Sequence, residues 1–139
     1  KDFIAGPFTT TLNYNELAIE AVIPAPKGKA FGGYIKLERR VGDFATASVA
    51  VALDMSGETV LGAGFALAGV GGKTIDANDA ASALIGQKLT DATIAKAAAL
   101  VAAKAEPRTD HRGSAEYKRH IIETFVKRIL VANSAQKVA

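Results

Sequence analysis

Two adjacent arginines, Arg39 and Arg40, are the residues of this chain best suited to bind an anionic ligand. Each guanidinium group presents a planar fork of N–H donors that matches the oxygens of a phosphate. The alternative is a surface pair that forms ion pairs with Glu38 or Asp43, and ordinary surface chemistry favours this alternative. In either case Asp43 can serve as a carboxylate that orients the strand around it.

The histidines of the chain do not have the spacing of metal ligands. His111 and His120 are the only two, and they stand nine positions apart across a predicted helix start. The chain has no cysteine, so it can form no disulfide and bind no thiolate-held iron–sulfur cluster. The sequence therefore predicts no metal site in this chain.

A glycine-rich stretch ends in Gly72-Lys73-Thr74, which resembles the end of a nucleotide phosphate-binding loop. That loop requires Gly-x-x-x-x-Gly-Lys-Ser/Thr between a strand and a helix, and here Leu67 replaces the first glycine. We therefore interpret the stretch as a strand end and a turn. The sequence contains no nucleophile elbow and no convincing pair of spaced carboxylates, and it predicts no catalytic residue.

Composition limits the classes of protein to which the chain can belong. Its 139 residues fit one domain with a sizeable core, and the net charge of +3 is modest. The basic residues are scattered, whereas nucleic-acid binding usually needs a dense basic face with aromatic groups. Charges or turn residues interrupt every apolar run, so no membrane span is expected. Because the chain begins with Lys1, we expect a fragment or a processed piece.

The first half of the chain has the residue pattern of β-strands. In residues 44–54 apolar side chains alternate with Thr46 and Ser48, which indicates a strand with one buried face. Residues 54–58 have the composition of a turn, with Gly57 able to take positive φ, and predict a hairpin. The predicted strands are 7–12, 17–23, 30–37, 44–54 and 59–71.

The second half changes to helical spacing. A short helix is predicted from Asp79 to near Gly86. Thr90 can cap a second helix, and a third helix is predicted from about 114 to about 133. The third has a broad apolar stripe, formed by Ile121, Ile122, Phe125, Val126, Ile129 and Leu130. Strands followed by helices predict an α+β fold with helices on one face of an antiparallel sheet.

The loop from Pro107 to Arg119 has the composition of a helix stop followed by a helix start. Pro107 ends the alanine-rich run before it, and Ser114 can cap the next helix. Glu116 falls in the first turn of that helix, where the positive end of the macrodipole favours a carboxylate.

This loop resembles the C-terminal domain of the FAD-binding (medium) subunit of molybdenum hydroxylases, the carbon monoxide dehydrogenase and xanthine dehydrogenase family. In that family a Pro–Asp–Arg–Ser–Ala–Glu–Tyr–Arg segment opens the last long helix. Here Lys118 replaces the last arginine, and we expect Asp110 and Arg112 to pair locally and fix the loop. The residues that keep the pattern are Pro107, Asp110, Arg112, Ser114, Ala115, Glu116 and Tyr117.

Two further segments are similar to the same family and follow its order along the chain. Residues 34–45 resemble its aromatic-x-Lys…Arg-Arg…Asp-x-Ala segment, and residues 2–10 with 15–17 resemble the strand and turn that lead out of the flavin domain. The resemblance implies an α+β fold of the carbon monoxide dehydrogenase flavoprotein C-terminal type. This fold is an antiparallel meander sheet of three to four strands covered on one face by three helices. Residues 1–25 would end the flavin domain, and residues 26–139 would form the C-terminal domain.

The resemblance also implies contacts with FAD. A lysine at the place of Lys36 approaches the flavin, where a cation can stabilise negative charge on the reduced ring. The alternative is an ordinary solvated strand lysine. Leu17 and Ala18 stand where the family often has Leu-Leu, one of which flanks the isoalloxazine ring, and the smaller Ala18 would cover less of it. In dehydrogenase members, the neighbourhood of Arg39 and Arg40 lies near the nicotinamide-dinucleotide site.

The function implied by the resemblance is that of an oxidoreductase subunit in a cytoplasmic complex. The subunit relays electrons from iron–sulfur clusters through FAD to NAD or another acceptor. Its partners are a large subunit with the molybdenum cofactor and a small iron–sulfur subunit. The chain alone is not expected to be catalytic, since the family's FAD pyrophosphate loops precede these residues. The alternative function is a free-standing, non-enzymatic α+β module that binds a protein partner through its sheet or its alanine-rich helices.

Overall fold

The structure, a computed structural model, describes residues 3–134. Its strands and helices are β1 (Ile4–Gly6), β2 (Thr9–Thr10), β3 (Lys29–Leu37), β4 (Ala47–Ser56), β5 (Thr59–Ala68), β6 (Ile75–Asp76), a 3-10 helix (Asn78–Ala83), α1 (Asp91–Ala103) and α2 (Ala115–Ser134). The last four strands form one antiparallel sheet in the order β3-β4-β5-β6. Strands β1 and β2 form a separate small ladder.

The central strand β4 presents one face to the core. Its alternate residues Ala47, Val49, Val51, Leu53 and Met55 are all buried. A strand with a side-chain period of two can bury its apolar set in this way only on one face. The predicted hairpin between β4 and β5 is confirmed, and its turn uses a glycine with φ of +56°.

Two helices and the 3-10 helix cover that face of the sheet. Helix α2 packs on β3 and β4, the 3-10 helix packs on β5, and α1 packs mainly on α2. Five of the six residues in the apolar stripe of α2 are buried, with Ile122, Val126 and Leu130 fully so, and Ile121 is partly buried. Thr90 caps α1, as the sequence predicts, and forms a capping box with Thr93. The predicted α+β architecture is confirmed.

Several predicted element bounds are wrong. Of the strand predicted at 7–12, only Thr9–Thr10 forms a strand. The strand predicted at 59–71 ends at Ala68, where a glycine with φ of +77° follows. The short helix predicted from Asp79 is a 3-10 helix that begins one residue earlier and ends at Ala83. Strand β6, with two residues, is too short to show a period of two in the sequence.

The strand predicted at 17–23 does not form in residues 3–134. The segment has the alternating composition of a strand, but a strand needs a neighbour whose N–H and C=O groups complete the ladder. Residues 3–134 provide no such neighbour, so the segment forms no strand although its sequence alternates like one.

Candidate functional site

Lys36 lies near the end of β3, in a group of charged side chains that we call the Lys36 cluster (Lys36, Glu38, Asp43 and Arg112). Its ammonium group forms an ion pair with Glu38, and its Nζ donates a hydrogen bond to the Asp43 carbonyl oxygen at 3.1 Å. The Lys36 side chain is 27 % exposed, so the ammonium is partly shielded and still reachable from solvent. Lys36 is therefore held in place by local contacts and is not a freely solvated strand lysine.

Arg112 joins the Lys36 cluster from the opposite end of the sequence. Its Nη2 lies 3.1 Å from Oδ1 of Asp43, and its Nη1 donates to the carbonyl oxygen of Phe44 at 3.0 Å. A planar guanidinium suits this double contact because its N–H donors are fixed in one plane. The loop before α2 is thereby tied to the loop that follows β3.

The charge of Lys36 is stabilised in the folded chain. Its hydrogen bond to Glu38 raises the pKa of Lys36 above the ordinary 10.5, although partial burial acts in the opposite direction. The ammonium therefore remains protonated at neutral pH. The cluster can place a fixed positive charge near a ligand that gains negative charge, although Glu38 partly balances that charge.

Lys118 has a structural role that sequence reasoning missed. Its side chain is only 3 % exposed, and its Nζ lies 2.7 Å from Asp110 Oδ2 and donates to the Arg108 carbonyl at 2.9 Å. The helical spacing of the sequence could have indicated this burial, because Lys118 stands four residues before Ile122 and therefore lies on the buried stripe of α2. The ion pair lowers the pKa of Asp110 below its ordinary 3.8. The ion pair therefore stabilises the folded chain at pH values above the ordinary pKa of Asp110, and this stabilisation is lost as the pH falls through the lowered pKa of the folded chain.

The predicted local pairing of Asp110 with Arg112 is wrong at the level of side chains. The carboxylate of Asp110 accepts the backbone N–H of Arg112 at 2.8 Å, but its ionic partner is Lys118. The Arg112 side chain reaches instead to Asp43, far away in sequence. The loop before α2 is therefore held in place, as predicted, but by ion pairs with Lys118 and Asp43 and not by one between Asp110 and Arg112.

The predicted surface pairing of Arg39 and Arg40 is also wrong. Both side chains are exposed, and within residues 3–134 neither forms an ion pair. Their two expected partners, Glu38 and Asp43, are bound to Lys36 and Arg112. The Gly72-Lys73-Thr74 stretch lies in the turn between β5 and β6 and begins no helix.

Leu17 and Ala18 lie in the segment between β2 and β3, outside any helix or strand, and both are exposed. No hydrogen bond or ion pair among residues 3–134 joins this segment to the Lys36 cluster. The three residues predicted to contact FAD are therefore not held together by the contacts of this domain. Within the same described range, no group of three His, Asp or Glu side chains could hold a metal ion. No helix there is long and apolar enough to cross a membrane.

Replacing Arg112 with alanine is expected to destabilise the fold by about 1–3 kcal/mol, since a hydrogen bond to a charged group contributes roughly that much. The amide of Phe44, whose N–H is bound by Asp43, should then exchange faster with solvent. Denaturant unfolding and amide exchange measure both effects. Arg108→Ala is the matched control, because its exposed side chain forms no hydrogen bond or ion pair within residues 3–134. Equal effects of the two changes would contradict this role of Arg112.

A family model described as the CO dehydrogenase flavoprotein C-terminal domain matches residues 33–132, which include most of the four-stranded sheet, α1, nearly all of α2 and the Lys36 cluster. The chain belongs to this family. The matched range begins within β3 and ends two residues before the end of α2. Family membership therefore rests on the part of the chain that forms the four-stranded sheet and the helices packed on it, which we call the compact domain.

Relatives of known name agree with this assignment. The chain is 36 % identical to the glyceraldehyde dehydrogenase medium chain of Sulfolobus acidocaldarius, over 89 % of this chain and 44 % of the relative. It is 36 % identical to the carbon monoxide dehydrogenase medium chain of Hydrogenophaga pseudoflava, over 94 % of this chain and 45 % of the relative. The chain thus spans less than half the length of these relatives.

Solved structures of the family share the fold. Carbon monoxide dehydrogenase from Hydrogenophaga pseudoflava matches with a TM-score of 0.89, at 36 % identity, over 99 % of this chain and 48 % of that one. Quinoline 2-oxidoreductase from Pseudomonas putida 86 matches with a TM-score of 0.83, at 28 % identity, over 96 % of this chain and 46 % of that one. Both matches extend beyond the compact domain to nearly all of the chain.

Proposed function

We propose that this chain is the C-terminal part of the FAD-binding subunit of a molybdenum-containing hydroxylase. The subunit relays electrons from iron–sulfur clusters through FAD to an acceptor. The observation that supports this most strongly is the agreement of sequence and fold with carbon monoxide dehydrogenase along almost the entire chain. A free-standing interaction module is not favoured, since the named relatives are medium chains and subunits of dehydrogenases and hydroxylases.

The division of labour within the subunit is part of the same proposal. Residues 1–25 end the flavin domain and connect it to the C-terminal domain of residues 26–139. The compact domain closes one side of the flavin site and contributes no catalytic residue of its own. Its partners are the large molybdenum-cofactor subunit and the small iron–sulfur subunit, and its acceptor is NAD or another molecule. A cytoplasmic location belongs to the proposal and agrees with the absence of cysteine.

The residues that fit FAD in this domain are few. Lys36 offers a protonated, partly exposed ammonium held in a fixed position by Glu38 and Asp43. When bound, FAD supplies the redox chemistry, and an ammonium beside it favours negative charge on the ring. Leu17 and Ala18 offer exposed apolar surface that can cover the ring from another side. The Lys36 cluster thus orients the cation, while the exposed segment excludes water from the ring.

Replacing Lys36 with alanine in the assembled complex is expected to slow flavin reduction or weaken FAD binding. The physical reason is the loss of a positive charge where negative charge develops. Stopped-flow absorbance of the flavin band and FAD titration of the subunit measure the two effects. Lys29→Ala is the matched control, because Lys29 lies on the same strand and its ammonium is instead placed over the Phe31 ring at 5.4 Å.

Glu38→Gln separates a direct role of Lys36 from a purely local one. Removing the carboxylate leaves the Lys36 ammonium without its ionic partner, so its charge should act more strongly on the flavin. We expect flavin reduction to become faster or FAD binding tighter in this variant. If Lys36→Ala, Lys29→Ala and Glu38→Gln all leave the flavin unchanged, Lys36 is a structural residue of the loop.

A further inference from the structure

The Lys36 ammonium group is bound by a backbone atom of the loop that joins β3 to β4. Its Nζ donates a hydrogen bond to the Asp43 carbonyl oxygen at 3.1 Å. Much of that loop is exposed, and Val41 within it is fully exposed. A carbonyl oxygen on an exposed loop fixes an ammonium group only if the loop itself is held in place. The position of the Lys36 ammonium therefore depends on what holds Asp43.

The side chain of Arg112 holds Asp43 and its neighbour Phe44 at two points. Its Nη2 donates to Asp43 Oδ1 at 3.1 Å, and its Nη1 donates to the Phe44 carbonyl oxygen at 3.0 Å. The same Asp43 Oδ1 accepts the Phe44 N–H at 2.7 Å. The side chains of Arg112 and Asp43 are only 20 % and 29 % exposed, so water screens their attraction less than it screens a surface pair. The planar guanidinium thus fixes the peptide group whose carbonyl binds Lys36.

The loop before α2 in turn holds Arg112. The Arg112 backbone N–H donates to Asp110 Oδ1 at 2.8 Å, and Asp110 and Gly113 exchange two backbone hydrogen bonds of 3.1 Å. The other carboxylate oxygen of Asp110 lies 2.7 Å from Nζ of Lys118, which is only 3 % exposed on α2. Separating this pair would leave a buried ammonium without a partner, which is strongly unfavourable. Arg112 therefore stands on a support that is anchored in the buried face of α2.

We propose that Arg112 is a positioning residue, which holds the Asp43 carbonyl against Lys36 and so keeps the Lys36 ammonium where it acts on the flavin. The last step rests on the proposed function, which places Lys36 beside FAD. Asp110 and Lys118 support Arg112 in this role. Charged groups of alternating sign thus connect the start of α2 to the end of β3, in the order Lys118, Asp110, Arg112, Asp43, Lys36 and Glu38.

Hydrogen exchange of the Lys36 ammonium group, followed by NMR, tests the positioning without any flavin. In the isotope-labelled complete subunit, the Lys36 signal is the ammonium signal that Lys36→Ala lacks. Arg112→Ala is expected to speed the exchange of this ammonium at least about threefold, because the hydrogen bond to the Asp43 carbonyl is weakened. Arg108→Ala is the matched control and is expected to leave the exchange unchanged.

The ammonium group of Lys118 is the internal reference for the fold. It is bound by the Asp110 carboxylate and the Arg108 carbonyl, and neither contact involves the Arg112 side chain. Its exchange is expected to stay slow in Arg112→Ala. Unchanged exchange of Lys36, or equal acceleration of Lys36 and Lys118, would overturn the proposal. If Arg112→Ala prevents the subunit from folding, Arg112→Lys, which keeps the charge and loses the double contact, is measured in its place.

Asp43→Ala tests whether Arg112 acts through the Asp43 carboxylate. This change removes the carboxylate but keeps the backbone carbonyl that binds Lys36. It is expected to speed the Lys36 exchange about as much as Arg112→Ala does. The double variant is expected to go little further, since both changes break the same contact. Fully additive effects would show that Arg112 and Asp43 act independently, contrary to the proposal.

Flavin reduction in the assembled complex tests the step from Lys36 to the cofactor. Arg112→Ala is expected to slow the reduction at least about twofold when Lys36 is present, and to cause no further slowing in a Lys36→Ala background. An arginine that only stabilises the fold would not show this dependence on Lys36. Equal slowing in both backgrounds, or slowing by Lys36→Ala alone, would overturn the proposal.

The two kinds of measurement separate this inference from the proposed function. If Arg112→Ala speeds the ammonium exchange while neither Arg112→Ala nor Lys36→Ala affects the flavin, the proposed flavin contact of Lys36 fails alone. If the ammonium exchange stays unchanged while Lys36→Ala slows flavin reduction, the positioning by Arg112 fails alone.

Discussion

The isolated 139-residue chain is expected to leave a gel-filtration column with little or no FAD, even after incubation with excess cofactor. FAD binding draws heavily on the pyrophosphate, which glycine-rich loops and helix N-termini hold through backbone N–H groups. In this chain the one partial phosphate motif, at Gly72-Lys73-Thr74, lies in a turn between two strands and begins no helix. In the Lys36 cluster we propose only the Lys36 ammonium as a contact of the flavin ring, and a single ammonium is no cradle for a pyrophosphate.

The comparison sample for this prediction is the complete subunit, which should retain the flavin under the same conditions. Absorbance in the flavin band and FAD released by denaturation give the stoichiometry of each sample. Stoichiometric FAD on the 139-residue chain would mean that the C-terminal part binds the cofactor by itself, contrary to the proposed division of the subunit.

Replacing Ile122 with alanine is expected to lower the free energy of unfolding by about 2–5 kcal/mol. Ile122 is fully buried in the stripe of α2, and removing a buried aliphatic side chain loses its transfer free energy and leaves a cavity. Denaturant unfolding of the 139-residue chain measures the loss. Val131→Ala is the matched control, since Val131 lies on the same helix and is 49 % exposed.

The control should cost well under half as much as Ile122→Ala, because its side chain gives up little apolar contact. Equal losses at the two positions would mean that α2 does not pack on the sheet through the predicted stripe. A small loss at both positions would contradict a core centred on α2.

The sequence predicts well those helices and strands whose apolar residues repeat with the period of the element itself. The alternation around Val49 and Val51 indicates β4, and the spacing of Ile122, Val126 and Ile129 indicates the buried stripe of α2. The hairpin at Gly57 follows from turn chemistry that involves only neighbouring residues.

The parts that the sequence does not predict depend on partners that are distant in the chain. The period of two at residues 17–23 predicts a strand that the structure does not contain, because no period reveals whether a neighbouring strand exists. The stop of β5 at Ala68 and the two residues of β6 are set by a turn and by a short pairing, which leave no repeat in the sequence.

The candidate site shows the same division between local and distant information. The family resemblance points to Lys36 and to the loop of Arg112, but it does not indicate that Arg112 binds Asp43 across nearly half the chain. Local reasoning assigned Asp43 to the arginines beside it, whereas the folded chain gives it to Arg112. The flavin contacts of Lys36, Leu17 and Ala18 stay predictions.

The flavin content of the purified complete subunit tests the central claim most directly. We expect a yellow protein with a flavin absorbance band and about one FAD per subunit, and we expect the band to bleach when the assembled complex receives its reducing substrate. A folded, complete subunit that contains no FAD and takes up none on incubation would contradict the assignment of this chain to a flavin-binding subunit.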